Sequence, residues 1–176
     1  WNISSNPWDR YHDEPFAAAY AAKIALETDP FVDGYSFWTF TDIFDEDYFP
    51  SIPFHGGFGL LNLYGVPKPV YRAFQLLHGL GSECLPVAGT HDTVDAWVVR
   101  KGRSITVLLT NHAQPRHDIV TQLVEVRLRD TPRRSRPTSS ALTRTTRTRA
   151  GGGRRSASQS IRAARRWSSS RRPLVW

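Results

Sequence analysis

The sequence predicts an α/β segment that passes into a short antiparallel β region and ends in a long basic tail. Three observations carry this. A four-residue apolar period runs through an alanine-rich stretch near the start, an aromatic and β-branched run follows it, and alternating apolar strands come after a second helical stretch. Helix, apolar strand, long loop, helix is a piece of an α/β unit series, and alternation over the next 45 or so residues is the pattern of an antiparallel sheet or half a sandwich.

Residues 14–28, EPFAAAYAAKIALET, form the first expected helix, with Asp13 as its cap, Pro15 in its first turn, and Phe16, Tyr20 and Ile24 recurring every four residues. The alanines between them make a thin surface suited to close packing on a sheet. Asp29-Pro30 stops the helix and Asp33-Gly34 turns the chain into YSFWTFTDIF, residues 35–44, which reads as a strand buried on both faces, as in parallel sheets. A Gly- and Pro-punctuated segment from Asp45 to Pro67 leads to a second helix near 68–80 with Val70, Phe74 and Leu77 on one face. Within residues 86–130, DAWVVRK, SITVLLTN and TQLVEVRL are the expected antiparallel strands.

Charge divides the chain unevenly. All sixteen Asp and Glu lie at or before Asp130, accompanied by ten Lys and Arg, so residues 1–130 carry a formal charge of −6, whereas residues 131–176 hold thirteen Arg and no acid. The basic balance of the whole therefore belongs to the tail. A single cysteine, Cys84, excludes an internal disulfide and a cysteine metal cluster within one chain. No long apolar stretch encodes a membrane span, and the compartment stays open between the cytoplasm and secretion.

Two blocks, WTFTDIF at 38–44 and PFHGGFGLLN at 53–62, are long and unusual in composition. With the sequence around them they resemble the last strand, loop and helix of the catalytic barrel in glycoside hydrolase family 39, in its β-xylosidase branch. The α-L-iduronidase sibling fits the two blocks less well. The resemblance spans roughly residues 1–130 and implies an α/β fold: residues 1–81 as the last βα units of a (β/α)8 TIM barrel, 82–130 as part of an antiparallel β-sandwich accessory domain, and 131–176 as a disordered basic tail. In such enzymes the nucleophilic glutamate stands in a Glu-Trp-Asn motif, so Trp1-Asn2 is expected to follow it directly, with the acid/base glutamate on an earlier strand. No catalytic residue is then expected within the chain, which is expected to be inactive alone.

Retaining glycoside hydrolysis needs two carboxyl groups flanking the scissile bond. Asp42, Asp45, Glu46 and Asp47 fall at the end of one strand and the start of its loop, so they approach a sugar from one side only. Barrel active sites lie at the C-terminal strand ends, and the resemblance gives Trp38 as part of the xylose pocket wall and Glu46 as a partner of sugar hydroxyls. An indole offers a flat apolar face to a sugar and a carboxylate accepts from two hydroxyls. Asp42 either touches substrate or holds the loop by hydrogen bonds. His55 either lines the site mouth or bonds backbone in its loop, and Asn2, near the same cleft, either contacts substrate or anchors the chain. Adjacent His12, Asp13 and Glu14 point apart, which argues against a metal site. The substrate implied is a xylo-oligosaccharide or other glycoside, with no cofactor, metal, nucleic acid or membrane, and a homo-oligomer stays open for the full-length parent.

The tail has two readings. Thirteen arginines among serines and threonines would neutralise phosphates in a nucleic-acid binder. Exclusive use of Arg is also the composition of a GC-rich coding sequence read out of frame: Thr143–Thr148 written with suitable codons and shifted by one base becomes Asp-Glu-Asp-His-Ala-Asn, which resembles a stretch of the family's sandwich domain. A frameshift near residues 128–135 is the favoured reading, and it makes the tail disordered apart from weak helical turns around 160–167. The rival from another class is a non-catalytic carbohydrate-binding module, although such modules are usually all-β.

Overall fold

The computed structural model describes residues 1–44, 50–115 and 117–128. Glu46 with its acidic neighbours Asp45 and Asp47, and the arginine-rich tail with the turns expected in it, lie outside these residues. The chain runs through a single 3-10 turn at Arg10–Asp13, helix α1 at Pro15–Thr28 and helix α2 at Pro69–Gly79. Strands β1 at Glu83–Leu85, β2 at Val94–Lys101 and β3 at Ser104–Asn111 follow.

Both helices begin on a proline whose fixed φ suits the first turn. Asp13 does not cap α1, contrary to expectation. Glu14 occupies the cap position without a side-chain capping bond, and the Asp13 carboxylate is drawn instead to the backbone of Gly56 and to Lys68. Phe16, Tyr20 and Ile24 are only half-buried. The alanine stripe beside them, Ala17, Ala18, Ala21, Ala22 and Ala25 with Leu26, is the buried face and packs against Val70, Ala73 and Leu77 of α2. Side chains this small let the helices approach closely, and the first apolar cluster fills the gap with Trp1, Ile3, Phe37, Leu60 and Phe74. Trp1 meets Tyr20 and Phe37 edge to face at 5.7 Å, the arrangement favoured by ring quadrupoles.

The aromatic run 35–44 has the hydrogen bonding of a parallel strand in short pieces. On one side Trp38 N–H donates to the Trp1 carbonyl at 3.0 Å. On the other, Thr39 N–H donates to Phe58, Leu60 N–H to Thr39 and Leu61 N–H to Phe40, ending in a parallel bridge between Thr41 and Leu61. The expectation of burial on both faces is corrected. Tyr35, Phe37, Thr39 and Thr41 turn inward to half-burial, whereas Trp38 is 47% and Phe40 63% exposed. The helices cover one face, and Trp38 and Phe40 leave the other largely open.

The sheet has the order β1-β2-β3, antiparallel throughout, with Cys84 opposite Val99 and Trp97 opposite Leu108. Of the three expected strands, the first two are β2 and β3. The third, at 121–128, does not form a strand, and Leu123 is 84% exposed. Strand propensity needs a partner edge and a face to pack on, and this segment meets the sheet through Asn111 Nδ2 donating to the Val120 carbonyl at 2.9 Å. A second apolar cluster joins the two zones: Ala25 and Leu26 of α1 and Leu77 of α2 pack with Tyr35, Phe74, Leu80, Trp97 and Leu108. Lys23 ties the rim by pairing with Asp95 of β2 and with Glu27 at 3.1 Å.

A leucine at position 21 would overfill the alanine contact, since Ala21 is wholly buried between the helices. The variant Ala21→Leu is expected to lose about 1–3 kcal/mol of stability. Urea unfolding followed by far-ultraviolet circular dichroism measures it, and a wild-type midpoint would show that the helices do not meet through this stripe.

Candidate functional site

The best-bonded part of the molecule is the place where the loop 53–62 lies against the 3-10 turn and the end of the aromatic run. Its centre is Lys68, the residue before α2, which has no exposed surface. Its ammonium lies 2.6 Å from Asp13 Oδ1 and 2.6 Å from Asp42 Oδ2, and it donates to the Gly57 carbonyl at 2.9 Å. The ammonium thus donates to one carbonyl and pairs as an ion with two carboxylates. The Asp42 side chain is likewise fully buried and that of Asp13 only 13% exposed.

Each carboxylate also accepts from the loop backbone. Asp42 Oδ1 accepts from Gly59 N–H at 2.7 Å, and Asp13 Oδ2 accepts from Gly56 N–H at 2.6 Å. Charge-assisted bonds of this kind are the strong ones. The loop fits so closely that glycine is needed: a Cβ at Gly57 would fall 2.5 Å from Asp42 Oδ1, and Gly56 combines a φ of +83° with backbone of Trp8 and Asp9 2.7 Å from where its Cβ would stand.

His12 completes the clasp. Buried against the Phe58 ring, it sits 2.6 Å from the Gly56 carbonyl through Nδ1. A carbonyl only accepts, so the proton is on Nδ1 and Nε2 faces Ser4 Oγ at 3.5 Å. Ser4 Oγ donates to Asp9 Oδ2 at 2.8 Å, and Asp9 Oδ1 accepts from Tyr11 N–H at 3.0 Å. Burial, above all, pushes the His12 pKa below the ordinary imidazole value of 6.5, with the Gly56 bond opposing it. His12 and Asp13 are therefore both committed to this loop, and among the described residues no group of three His, Cys, Asp or Glu is placed to hold a metal ion.

The sequence-derived residues fall around this clasp in different states. Asn2 Nδ2 donates to the carbonyls of Trp38 and Phe58, and its Oδ1 accepts from Ile3 N–H, so the bonds it makes are those of an anchor. Asp42 spends both oxygens on Lys68 and Gly59, the bonds of a loop holder. His55 bonds the Ile52 carbonyl through Nδ1 at 3.0 Å and lies against Trp8 with ring centroids 5.5 Å apart. Trp38 is the one whose side chain is open, its indole meeting Phe44 edge to face at 5.3 Å with the rest facing outward. Asn2, Trp38, Asp42 and the 56–59 loop are thus brought together, and Glu46 lies outside the described residues. Sequence reasoning missed Lys68, because a lone lysine between two prolines carries no periodic or motif signal.

Two measurements follow from this geometry. Removing the cation strands two buried carboxylates, so Lys68→Met is expected to destabilise the chain by about 3–5 kcal/mol; a urea midpoint within error of wild type would show that the charges are not buried together. His12 is held neutral by the fold, so its contribution to stability is present above pH 6.5 and is lost as pH falls through its lower folded value. The loss has a slope of at most about 1.4 kcal/mol per pH unit. Unfolding midpoints between pH 7.5 and 5 are expected to fall less steeply in His12→Gln, and equal slopes would remove His12 as the cause.

Comparison with known proteins identifies the setting. The family signature described as glycosyl hydrolases family 39 matches residues 1–136. A β-xylosidase of Caldicellulosiruptor saccharolyticus is 44% identical over 132 residues, covering 73% of this chain and 27% of that protein. A β-xylosidase of Geobacillus stearothermophilus is 37% identical over 126 residues, covering 72% and 24%. Among solved structures, the GH39 enzyme from Xanthomonas axonopodis pv. citri superposes with a TM-score of 0.58 at 34% identity, over 68% of this chain and 23% of that one. A GH39 β-xylosidase from Caulobacter crescentus gives 0.51 at 33% identity, over 61% and 23%. The chain spans about a quarter of the length of these relatives. It belongs to glycosyl hydrolase family 39.

Proposed function

We propose that the chain carries one wall of the sugar site of a retaining β-xylosidase, a site whose whole protein releases terminal xylosyl groups from xylo-oligosaccharides or aryl xylosides. The observation that carries the reading is Trp38: a large apolar ring left 47% exposed where the parallel-bonded run begins, beside a loop pinned by buried charges. An exposed indole on a hydrogen-bonded backbone is suited to stack on the C–H face of a pyranose. The β-xylosidase names of the relatives supply the sugar. Glu46, four residues beyond Asp42, is assigned to the sugar hydroxyls. His55 belongs to the rim through its contact with Trp8.

In this reading neither Asp42 nor Asp13 acts as nucleophile or acid, since each is locked to Lys68 and to backbone N–H groups. The two carboxyls that flank the glycosidic bond in retaining hydrolysis are left to other residues of a longer protein, and these 176 residues alone position sugar without cleaving it. The family-scale architecture is a (β/α)8 barrel with a β-sandwich, to which the two helices and the three-stranded sheet contribute.

One wall of a pocket binds weakly, with a Kd on the order of 1 mM or above, about −4 kcal/mol at best. Xylobiose is expected to perturb the Trp38 indole signal in a nuclear magnetic resonance titration of the chain, and Trp38→Ala to abolish saturable binding, with no release of nitrophenol from nitrophenyl xyloside. Turnover by the chain alone, or a Trp38 signal indifferent to xylobiose, would sink the proposal.

A further inference from the structure

We propose that Lys68, a residue with no exposed surface, is the positioning residue for Trp38. The sugar side of this inference rests on the reading of Trp38 as a pocket wall, whereas the mechanical side rests on the bonds alone. Lys68 is fixed where α2 begins, between Pro67 and Pro69 and two residues before Val70, which is buried in the first apolar cluster. Its ammonium hands that fixed point to three other segments: Asp13 at the start of α1, Gly57 in the loop, and Asp42 four residues beyond Trp38.

From there the path to the indole is short and continuous. Asp42 holds Gly59 N–H at 2.7 Å, and its own N–H donates to Leu61 at 2.8 Å. Phe58 and Leu60 pair with Thr39 at 3.0 and 2.9 Å, and Asn2 bridges the Phe58 and Trp38 carbonyls. The loop that Lys68 pins thus holds the backbone of Thr39, Phe40 and Asp42 directly after Trp38, whose own N–H and carbonyl are held by Trp1 and Asn2. A compact ammonium can lie 2.6 Å from two carboxylates while donating to a carbonyl, a crowding that the larger planar guanidinium does not reproduce.

The test is made on the 176-residue chain with 15N-labelled indoles. Trp38 is assigned by Trp38→Phe, and Trp97 of β2, in the second apolar cluster, serves as the internal reference. Lys68→Met and the isosteric Asp42→Asn are expected to shift or split the Trp38 indole resonance while Trp97 keeps its native position. Should Lys68→Met fail to fold, Asp42→Asn decides. A native Trp38 resonance in a folded variant overturns the inference, as does a joint displacement of Trp38 and Trp97 in both variants, which would make Lys68 a general support of the fold. A xylobiose titration of the wild type separates the two readings: an unresponsive Trp38 removes the sugar role and leaves the variant comparison to decide the positioning role by itself.

Discussion

A lysine ammonium shut away from water between two carboxylates and a peptide carbonyl is the constraint around which the helical part of this chain is organised. Taking one such ion out of water costs several kcal/mol even after relaxation, so the arrangement is tenable only when every donor and every carboxylate oxygen has a partner. Here one oxygen of each carboxylate meets Lys68 as an ion pair at 2.6 Å and the other accepts from Gly56 or Gly59, while Gly57 accepts from Lys68, the glycines letting the backbone come this close. Four stretches far apart in sequence are thereby required to meet at one point. An apolar core of similar volume would tolerate sliding; two buried ion pairs and a hydrogen bond on one nitrogen do not.

The candidate site inherits its order from this point. The loop 53–62 contains little regular structure, yet it is tied to the 3-10 turn through His12 and Asp13, to the aromatic run through Asp42, and to α2 through Lys68. Asn2 extends the same bonding to the backbone of Trp38. The polar side chains flanking the indole are turned inward to support, and the indole itself is turned outward. This division of labour is what a carbohydrate surface requires, because a flexible ring would lose in ordering entropy what stacking gains.

How much of this the sequence discloses depends on whether a residue's role is local. Both helices are legible from period and proline placement, and β2 and β3 from alternation. Asp13 looks like a cap because its neighbours in sequence favour that role, and only the tertiary approach of Lys68 and Gly56 reverses it. Lys68 is illegible, since nothing in a lone charged residue announces burial. The run 35–44 misleads for a different reason: Trp38 and Phe40 are apolar and yet exposed, so composition suggests two covered faces where the chain covers one. The stretch 121–128 has the pattern of a strand, and pattern does not create an edge to pair with.

The apolar cluster that unites Ala25, Leu26 and Leu77 with Trp97 and Leu108 bears on what counts as a unit in this chain. The change from helical to alternating pattern near residue 81 suggests a place to divide the molecule, but the side chains on either side of it share one interior. Melting the sheet would uncover the far end of both helices, and loosening the helices would strip the inner face of the sheet. The boundary of pattern is therefore bridged by a shared interior, so that a change on one side of it reaches the other.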